Sequence, residues 1–368
     1  MLLRTFRWAF AVTALGLVAG ALYGGWAALG VVAVLGVLEV SLSFDNAVIN
    51  AGVLKKMNAF WQRIFLTIGI LIAVFGMRLL FPLVIVTVSA GLAPTEAVKL
   101  ALTDKARYQE LVTDAHPSIA AFGGMFLLMI FLRFVFEERE ITWLGPLERL
   151  LARFGRVDML SVCVALCVLL VASVTFAAHA HQHGGTHADK AQTVLVSGIA
   201  GLITYLVVSG LSGFFEDRLA REAGAEDTEA AQRTEGQGPE GEGRPVLALA
   251  GRAAFFTFLY LEVLDASFSF DGVIGAFAIT NDIVLMALGL GIGAMYVRSL
   301  TVYLVRQGTL DDYVYLEHGA HYAIGALALI LLVSIRYEIN DIVTGLIGVT
   351  LIGASFVSSV RRNRALSG

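Results

Sequence analysis

Residues 38–46 of the chain read LEVSLSFDN, and residues 262–272 read EVLDASFSFDG. Each stretch lies inside a long apolar run of the sequence, yet each carries acidic side chains. An acid near the centre of a bilayer costs about 2.5–3.5 kcal/mol, and acids retained at that cost usually line a pathway or a binding site. These two stretches are therefore the first candidates for a functional site.

The two stretches are copies of one motif, acid-x-Ser-x-Ser-Phe-Asp. The equivalent residues are Glu39 and Asp265, Ser41 and Ser267, Ser43 and Ser269, and Asp45 and Asp271. A second match follows in the next apolar run of each half, where an Arg stands nine positions after a Gly. Arg78 follows Gly69 in the first half, and Arg298 follows Gly289 in the second. Two matches in the same order predict an internal duplication.

The composition indicates a membrane protein. Of the 368 residues, 57% are apolar and 15% are charged, and the mean hydropathy is +0.77. Soluble domains have about 25% charged residues, and a soluble fold could not hide this much apolar surface. Helices, unlike open sheets, can cross lipid, and the alternating pattern of a membrane β-barrel is absent. A net charge of −4 without a basic face predicts no nucleic-acid partner.

Runs of about 20 apolar residues mark the helices that can cross a bilayer. Ten such runs occur, at residues 8–24, 26–54, 61–91, 117–137, 158–179, 192–215, 246–276, 281–305, 319–336 and 341–360. The predicted fold is therefore an all-α polytopic membrane protein with ten transmembrane helices in contact with the lipid bilayer.

The distribution of Lys and Arg predicts the orientation of the chain. With the amino terminus in the cytoplasm, most basic residues fall in the termini and the even-numbered connections. Both termini are therefore predicted on the cytoplasmic side of a bacterial-type inner membrane. The second and seventh spans, which carry the two motif copies, then cross in opposite directions. Two inverted three-helix repeats of this kind are typical of secondary transporters, whose site lies at the repeat interface.

The same patterns divide the chain into segments. We predict an amino-terminal transmembrane helix at 1–25, a first repeat at 26–137, a surface helix with two extra transmembrane helices and a His-rich outer loop at 138–215, an acidic disordered linker at 216–245, a second repeat at 246–336, and a last transmembrane helix with a basic tail at 337–368. The linker is rich in Glu, Gly and Ala and lacks aromatic residues. It is a candidate segment for binding a cytoplasmic protein partner.

The outer loop concentrates histidines within the stretch AHAHQHGGTH. They are His179, His181, His183 and His187. Histidines at this density can bind transition metals, so one interpretation is an outer metal-capture loop. The other is a polar turn that is rich in histidine and holds no ligand. The sequence leaves both interpretations open.

The side chains of the two motifs suit a hard divalent cation. Carboxylate, hydroxyl and amide oxygens bind Mn²⁺, Mg²⁺ and Ca²⁺, and no Cys or His accompanies the acids. The candidate metal ligands are Glu39, Asp45, Asn46, Glu262, Asp265 and Asp271, with Ser43 and Ser269 as accessory ligands and Arg78 and Arg298 as charge-balancing groups. The alternative is an internal salt-bridge network without a ligand. No permanently bound cofactor is expected, because the metal ion would be the substrate.

Helix periodicity predicts a further feature of both motifs. Asp45 and Asp271 lie six positions after an upstream acid, which is about 120° around an ideal helix. They join the other acids only if the helix bends or breaks. The residues that follow them, an Asn and a Gly, are poor helix formers. We therefore predict broken helices at 44–47 and 270–273.

These residues resemble the TerC integral membrane family of the LysE-like exporter superfamily. The residues that match the first motif of that family, Glu-x5-Asp-Asn, and its second motif, Glu-x2-Asp-x5-Asp, are Glu39, Asp45 and Asn46, and Glu262, Asp265 and Asp271. Gly272 replaces the small hydroxyl residue expected after the second Asp, which points to a divergent branch. The resemblance implies efflux of manganese or a similar divalent ion, with a link to tellurium resistance.

We expect a secondary transporter that exports a divalent metal ion, with Mn²⁺ favoured over Ca²⁺ and Mg²⁺. Proton titration of the same acids would couple export to proton influx. Two other functions stay open: a membrane scaffold of a stress-response complex, and an exporter of amino acids or other small organic solutes. No enzyme is expected, because the spans lack HExxH, Gly-x-Ser-x-Gly and Ser/Lys motifs.

Overall fold

The fold is given by a computed structural model. It describes residues 2–69, 71–72, 75–76, 80, 83–84, 86–87, 92–155, 157, 159–177, 187–233, 251–280, 282–307, 312–337, 339 and 341–367. For some of these, including Asp45, Ser269 and Asp271, only the backbone is described. Within these ranges the chain is α-helical and has no β-strand, which confirms the helical fold class.

The described part of the chain is a series of α-helices. Their bounds are α1 Leu2–Leu42, α2 Phe44–Leu54, α3 Ala59–Ile64, α4 Pro94–Thr103, α5 Lys105–Phe136, α6 Gly145–Phe154, α7 Leu160–Thr175, α8 His187–Arg233, α9 Gly251–Ile279, α10 Ile283–Gln307, α11 Leu316–Ser334 and α12 Asp341–Ser367. A π-helical turn, Phe65–Gly69, continues α3.

Six helical segments in the described part of the chain are long and apolar enough to cross a membrane. They are Thr5–Val40, Lys105–Phe136, Asp189–Leu211, Ile283–Arg306, Leu316–Ser334 and Val343–Ala365. The chain is therefore a multi-pass membrane protein. Helix α7 has 16 residues, a length of about 24 Å that falls short of the ~30 Å hydrocarbon core. The predicted span at 61–91 is described only in part.

Helix α1 is bent back on itself at Gly24 and Gly25. Both glycines have non-helical backbone angles, and Gly25 has a φ of 69°, a conformation that glycine adopts without steric cost. Gly20, before the bend, lies beside Val32, after it: a methyl group at Gly20 would be 3.0 Å from the Val32 side chain. The segment Thr5–Val40 is thus two arms packed side by side, and α10 packs against both.

Helix α5 forms the centre of the bundle. In the most apolar 18-residue stretch of α5, 72% of the residues are buried. The corresponding fractions are 22% in α1 and 28% in α12, so these two helices lie at the periphery of the bundle. Helices α8 and α11 pack on α5. Gly201 of α8 lies against the backbone of Phe122, and Gly325 of α11 lies against the ring of Phe131. Small residues permit such close helix contacts in membranes.

The two motif copies differ in their helical geometry. A break separates α1 from α2 at Ser43, which has non-helical angles (φ −101°, ψ 15°). Helix α2 itself is regular through 44–47, so the break lies before the predicted segment and the prediction is wrong in position. Helix α9 instead continues without interruption through 270–273, so the second predicted break is wrong. Gly272 is buried against Glu39 there. Tertiary packing of this kind overrides the low helix propensity of glycine.

Two segments outside the motifs also have a defined shape. Helix α8 runs to Arg233, so the first part of the expected linker, 216–233, continues a helix; its Ala, Glu and Arg residues are good helix formers. The rest of the linker lies outside the described residues. Helix α6 is amphipathic: Leu147, Leu150 and Phe154 are exposed, whereas Glu148 is buried.

Candidate functional site

The two motif copies meet in the interior of the bundle. Asn46 of α2 donates a hydrogen bond from Nδ2 to Oδ1 of Asp265 in α9, at 2.6 Å. Both side chains are buried, and Asn46 is only 2% exposed. A contact between residues this far apart in the chain, one from each copy, brings the two candidate ligand sets into one place.

Glu39 also lies at the crossing of the two motif copies, where Asn46 meets Asp265. It is 1% exposed, and Oγ of Ser43 donates a hydrogen bond to its Oε1 at 3.0 Å. Gly272 and Gly293 enclose the rest of the side chain. A methyl group at Gly272 would lie 2.7 Å from Oε2 of Glu39, and none would fit at Gly293. The glycines therefore make the room that the carboxylate occupies.

Among the acids of the site whose side chains are described, Glu262 has the fewest hydrogen-bond partners. It is 6% exposed, and neither oxygen of its carboxylate has a hydrogen-bond partner among the described residues. The Oδ1 of Asn50 is in the same situation. Glu262, Asn50 and Asp265 line one cavity of about 30 Å³ together with Arg298. This volume exceeds the ~10–15 Å³ that one water molecule requires, so the cavity has room for an ion or for one or two waters.

Arg298 is held by the backbone of the other half of the chain. Its Nε donates a hydrogen bond to the carbonyl oxygen of Leu66 at 3.0 Å. Leu66 belongs to the π-helical turn Phe65–Gly69, a distortion that often marks functional sites. No ion pair joins Arg298 to a carboxylate in the described part of the chain. Arg298 therefore faces the cavity without being bound to the acids there.

The structure brings together some of the predicted site residues and leaves others undetermined. Those that it places at the crossing or in its cavity are Glu39, Ser43, Asn46, Glu262, Asp265 and Arg298. The side chains of Asp45, Ser269, Asp271 and His187 lie outside the described residues, as do Arg78, His179, His181 and His183 entirely. Within the described part, no three His, Cys, Asp or Glu side chains are grouped closely enough to hold a metal ion.

Two polar residues of the site were not singled out from the sequence. Asn50 lies one helical turn after Asn46 on the same face of α2, and it is 3% exposed. An amide in an apolar run at this spacing was a usable signal. Thr301 of α10 donates hydrogen bonds to the carbonyl oxygens of Ala47 and Val297. No pattern in the sequence distinguishes Thr301 from other threonines of the spans.

Comparison with known proteins assigns a family. A family model described as "Protein of unknown function (DUF475)" matches residues 44–366, which is most of the chain, and the chain belongs to this family. No curated protein and no solved structure matches the chain significantly.

Proposed function

We propose that this member of the DUF475 family is a secondary transporter that exports a divalent metal ion from the cytoplasm, with Mn²⁺ favoured over Ca²⁺ and Mg²⁺. In this proposal ten spans contain two inverted three-helix repeats, and the ion binds where the two motif copies cross. The ligands are the acids and amides of both motifs, including Asp45 and Asp271. The resemblance of the motifs to those of the TerC family supports manganese as the substrate.

The buried carboxylate of Glu262 carries the proposal. Burying a charged group without partners costs several kcal/mol, and here two oxygens of Glu262 and one of Asn50 lack partners in the described residues. A bound cation would supply the missing interaction to all three. The cavity that they line, about 30 Å³, matches an ion and is far below the ~300 Å³ of typical small-molecule pockets.

Reciprocal contacts support the inverted repeats. Asn46 contacts Asp265, the equivalent of Glu39 in the second copy. Glu39 in turn lies beside Gly272, the equivalent of Asn46. Exchanging the two copies converts one contact into the other, which is what a two-fold axis between the copies produces. The earlier residue of one motif lies beside the later residue of the other, so the two motifs run antiparallel. A two-fold axis in the membrane plane relates inverted repeats in this way.

The apolar packing around the motifs repeats in the same way. One cluster joins Ala28, Val32, Leu285 and Ile292. A second cluster brings together the equivalents of these residues, which are Ala254, Phe258, Phe65 and Ile72 in the same order. Close contacts agree too, because Gly289 lies against Val32 and Gly69 against Phe258. Each cluster joins the motif helix of one copy to the following helix of the other, which supports two interlocked halves.

A second candidate function is export of an amino acid or a similar small solute. The observation in its favour is Arg298, which lines the same cavity as Glu262 and Asp265. A cation beside two acids could bind the carboxylate and the amine of an amino acid. The cavity would have to enlarge about tenfold to reach the size of such pockets, so the metal ion remains the better fit.

Flux measurements in inverted membrane vesicles test the proposal. A metal-sensitive dye inside the vesicles reports Mn²⁺ uptake by wild type and by Asp45→Asn, Asp271→Asn and Glu262→Gln. We expect these variants to lose flux by about tenfold or more, while the control Asp312→Asn, an exposed acid outside the site, keeps it. Mn²⁺ flux that is unchanged in all three variants would refute the proposal. Uptake of labelled amino acids instead of Mn²⁺ would select the second candidate.

A further inference from the structure

A second and larger cavity lies at the Lys55 end of helix α2. Its volume is about 550 Å³, and its walls come from α2, α5, α8, α9 and α11. We call it the cytoplasmic vestibule, because the predicted orientation places Lys55 on the inner side. Val48 and Tyr260 are among its lining residues, and each lies only two positions along the chain from a residue of the acidic site, Asn46 and Glu262 respectively. The vestibule thus approaches the acidic site from the side of the cytoplasm.

Among the described residues, the charged side chains that line the cytoplasmic vestibule are mostly basic. They are Lys55, Lys56, Arg133 and Arg139, with Glu137 and Glu317 as the acids. Arg139 already binds both acids, at 2.7 Å to Glu137 and 3.8 Å to Glu317. Its guanidinium also lies over the ring of Phe134, 4.0 Å from the centroid. Arg139 thus engages both of these carboxylates, and Lys55, Lys56 and Arg133 add positive charge to the wall of the vestibule.

Arg133 is placed to bind an anion. It lies in the last turn of α5, and its Nη1 donates a hydrogen bond to the neutral hydroxyl of Ser209 at 3.2 Å. A guanidinium has five N–H donors, and its planar fork matches the oxygens of a phosphate group. Lys55 and Lys56 approach from the end of α2 on another wall. Cations from two helices therefore converge on one space.

The depth of this cavity also fits a phosphate. Lys55 and Lys56 directly follow the apolar helix α2, and Arg133 is in the last turn of the apolar helix α5. Basic residues at the cytoplasmic ends of spans lie at the level of the lipid headgroups. Ordinary positive-inside arginines point to the membrane surface, whereas these line a common cavity.

We propose that the cytoplasmic vestibule binds a phosphate group, supplied either by an anionic lipid headgroup or by free phosphate. Arg133 provides the forked contact, and Lys55 and Lys56 add charge. The bound phosphate neutralises positive charge at the cytoplasmic mouth of the protein. It does not depend on which solute the acidic site carries.

Thermal unfolding of the full-length protein tests this site. In detergent, the probe is sodium phosphate against sodium chloride at equal ionic strength. In nanodiscs, the probe is phosphatidylglycerol added to phosphatidylcholine. We expect the melting temperature of wild type to rise with at least one probe, and the probe that acts identifies the source of the phosphate.

Variants locate the response. The double variant Arg133→Gln, Lys56→Gln should need about tenfold more of the active probe for the same rise, because it loses charge-assisted hydrogen bonds. Arg133→Lys keeps the positive charge but loses the planar guanidinium, so it should reduce the rise in melting temperature only in part. The control Arg361→Gln, an exposed arginine outside the vestibule, should respond as wild type does. Wild type that responds to neither probe, or a double variant that responds as wild type does, would overturn the proposal.

Discussion

Gly272 shows how a missing side chain shapes the site. A methyl group at this position would lie 2.7 Å from Oε2 of Glu39, closer than unbonded atoms approach. The hydroxymethyl side chain of a serine would need still more space. Glycine at 272 therefore leaves the Glu39 carboxylate in its present position, whereas a larger residue at 272 would require that carboxylate to shift.

We expect Gly272→Ala to displace the Glu39 carboxylate and to reduce Mn²⁺ flux by about tenfold or more, because small misplacements in a site are costly. Vesicle flux at equal protein amounts measures this. Gly353→Ala is the matched control, since a methyl group at Gly353 meets no atom within 4 Å. If Gly272→Ala transports as well as this control does, the position of Glu39 is irrelevant to transport.

The stability of Glu262 variants separates a functional acid from a structural one. Because its oxygens have no hydrogen-bond partner in the described residues, Glu262→Gln removes only an unfavourable charge. We expect the melting temperature to stay the same or to rise by about 2–4 °C. Asp265→Ala, which removes the acceptor of the Asn46 amide, should lower it. A clear fall for Glu262→Gln would mean that this carboxylate holds the helices together.

At the scale of the helices, hydrogen bonds to Asp282 connect α1, α5 and α10 at the end of the bundle where Gly24 lies. Asp282, just before α10, accepts hydrogen bonds from Nζ of Lys105 in α5 at 2.6 Å and from the hydroxyl of Tyr23 in α1 at 2.9 Å. It also accepts one from the backbone N–H of Val284. Burial alone would raise the pKa of Asp282, but these hydrogen bonds together lower it below its ordinary value.

This arrangement predicts a pH dependence of stability. Because the pKa of Asp282 is lower in the folded state, its interactions stabilise the fold above the ordinary aspartate pKa of 3.8 and are lost as the pH falls through the folded value. We expect Asp282→Asn to lower the melting temperature by about 2–4 °C at pH 7, and by less at acidic pH. The exposed Asp312→Asn should have no effect. A difference between wild type and Asp282→Asn that is equal at both pH values would contradict this account.

For the whole molecule, the sequence predicted features that depend on periodicity and repetition. The apolar runs predicted a helical membrane protein, and the paired motifs pointed to polar side chains that the structure places together, as the hydrogen bond between Asn46 and Asp265 illustrates. Features that depend on packing between distant helices were beyond prediction. The uninterrupted α9 at Gly272 is one such feature. The convergence of Lys55 and Arg133 on a single vestibule is another, because no local pattern connects α2 with α5.

The ten-span orientation remains a prediction, and cysteine labelling tests it. In a background with Cys163→Ser and Cys167→Ser, we introduce single cysteines as Lys99→Cys, Lys190→Cys, Arg153→Cys and Arg361→Cys. A membrane-impermeant maleimide applied to intact cells should label the first two, which the topology places outside. The last two should react only after permeabilisation. If Lys99→Cys and Arg153→Cys were labelled from the same side, the prediction that the two repeats have inverted orientations would be wrong.

Metal-specific anomalous scattering from crystals grown with Mn²⁺ tests the central claim most directly. We predict one strong manganese peak at the crossing of α2 and α9, with carboxylate oxygens of both motif copies at about 2.0–2.6 Å. Asp45→Asn with Asp271→Asn should abolish that peak. Absence of manganese between the motifs in wild-type crystals, or a peak confined to the histidine loop at 179–187, would contradict the account.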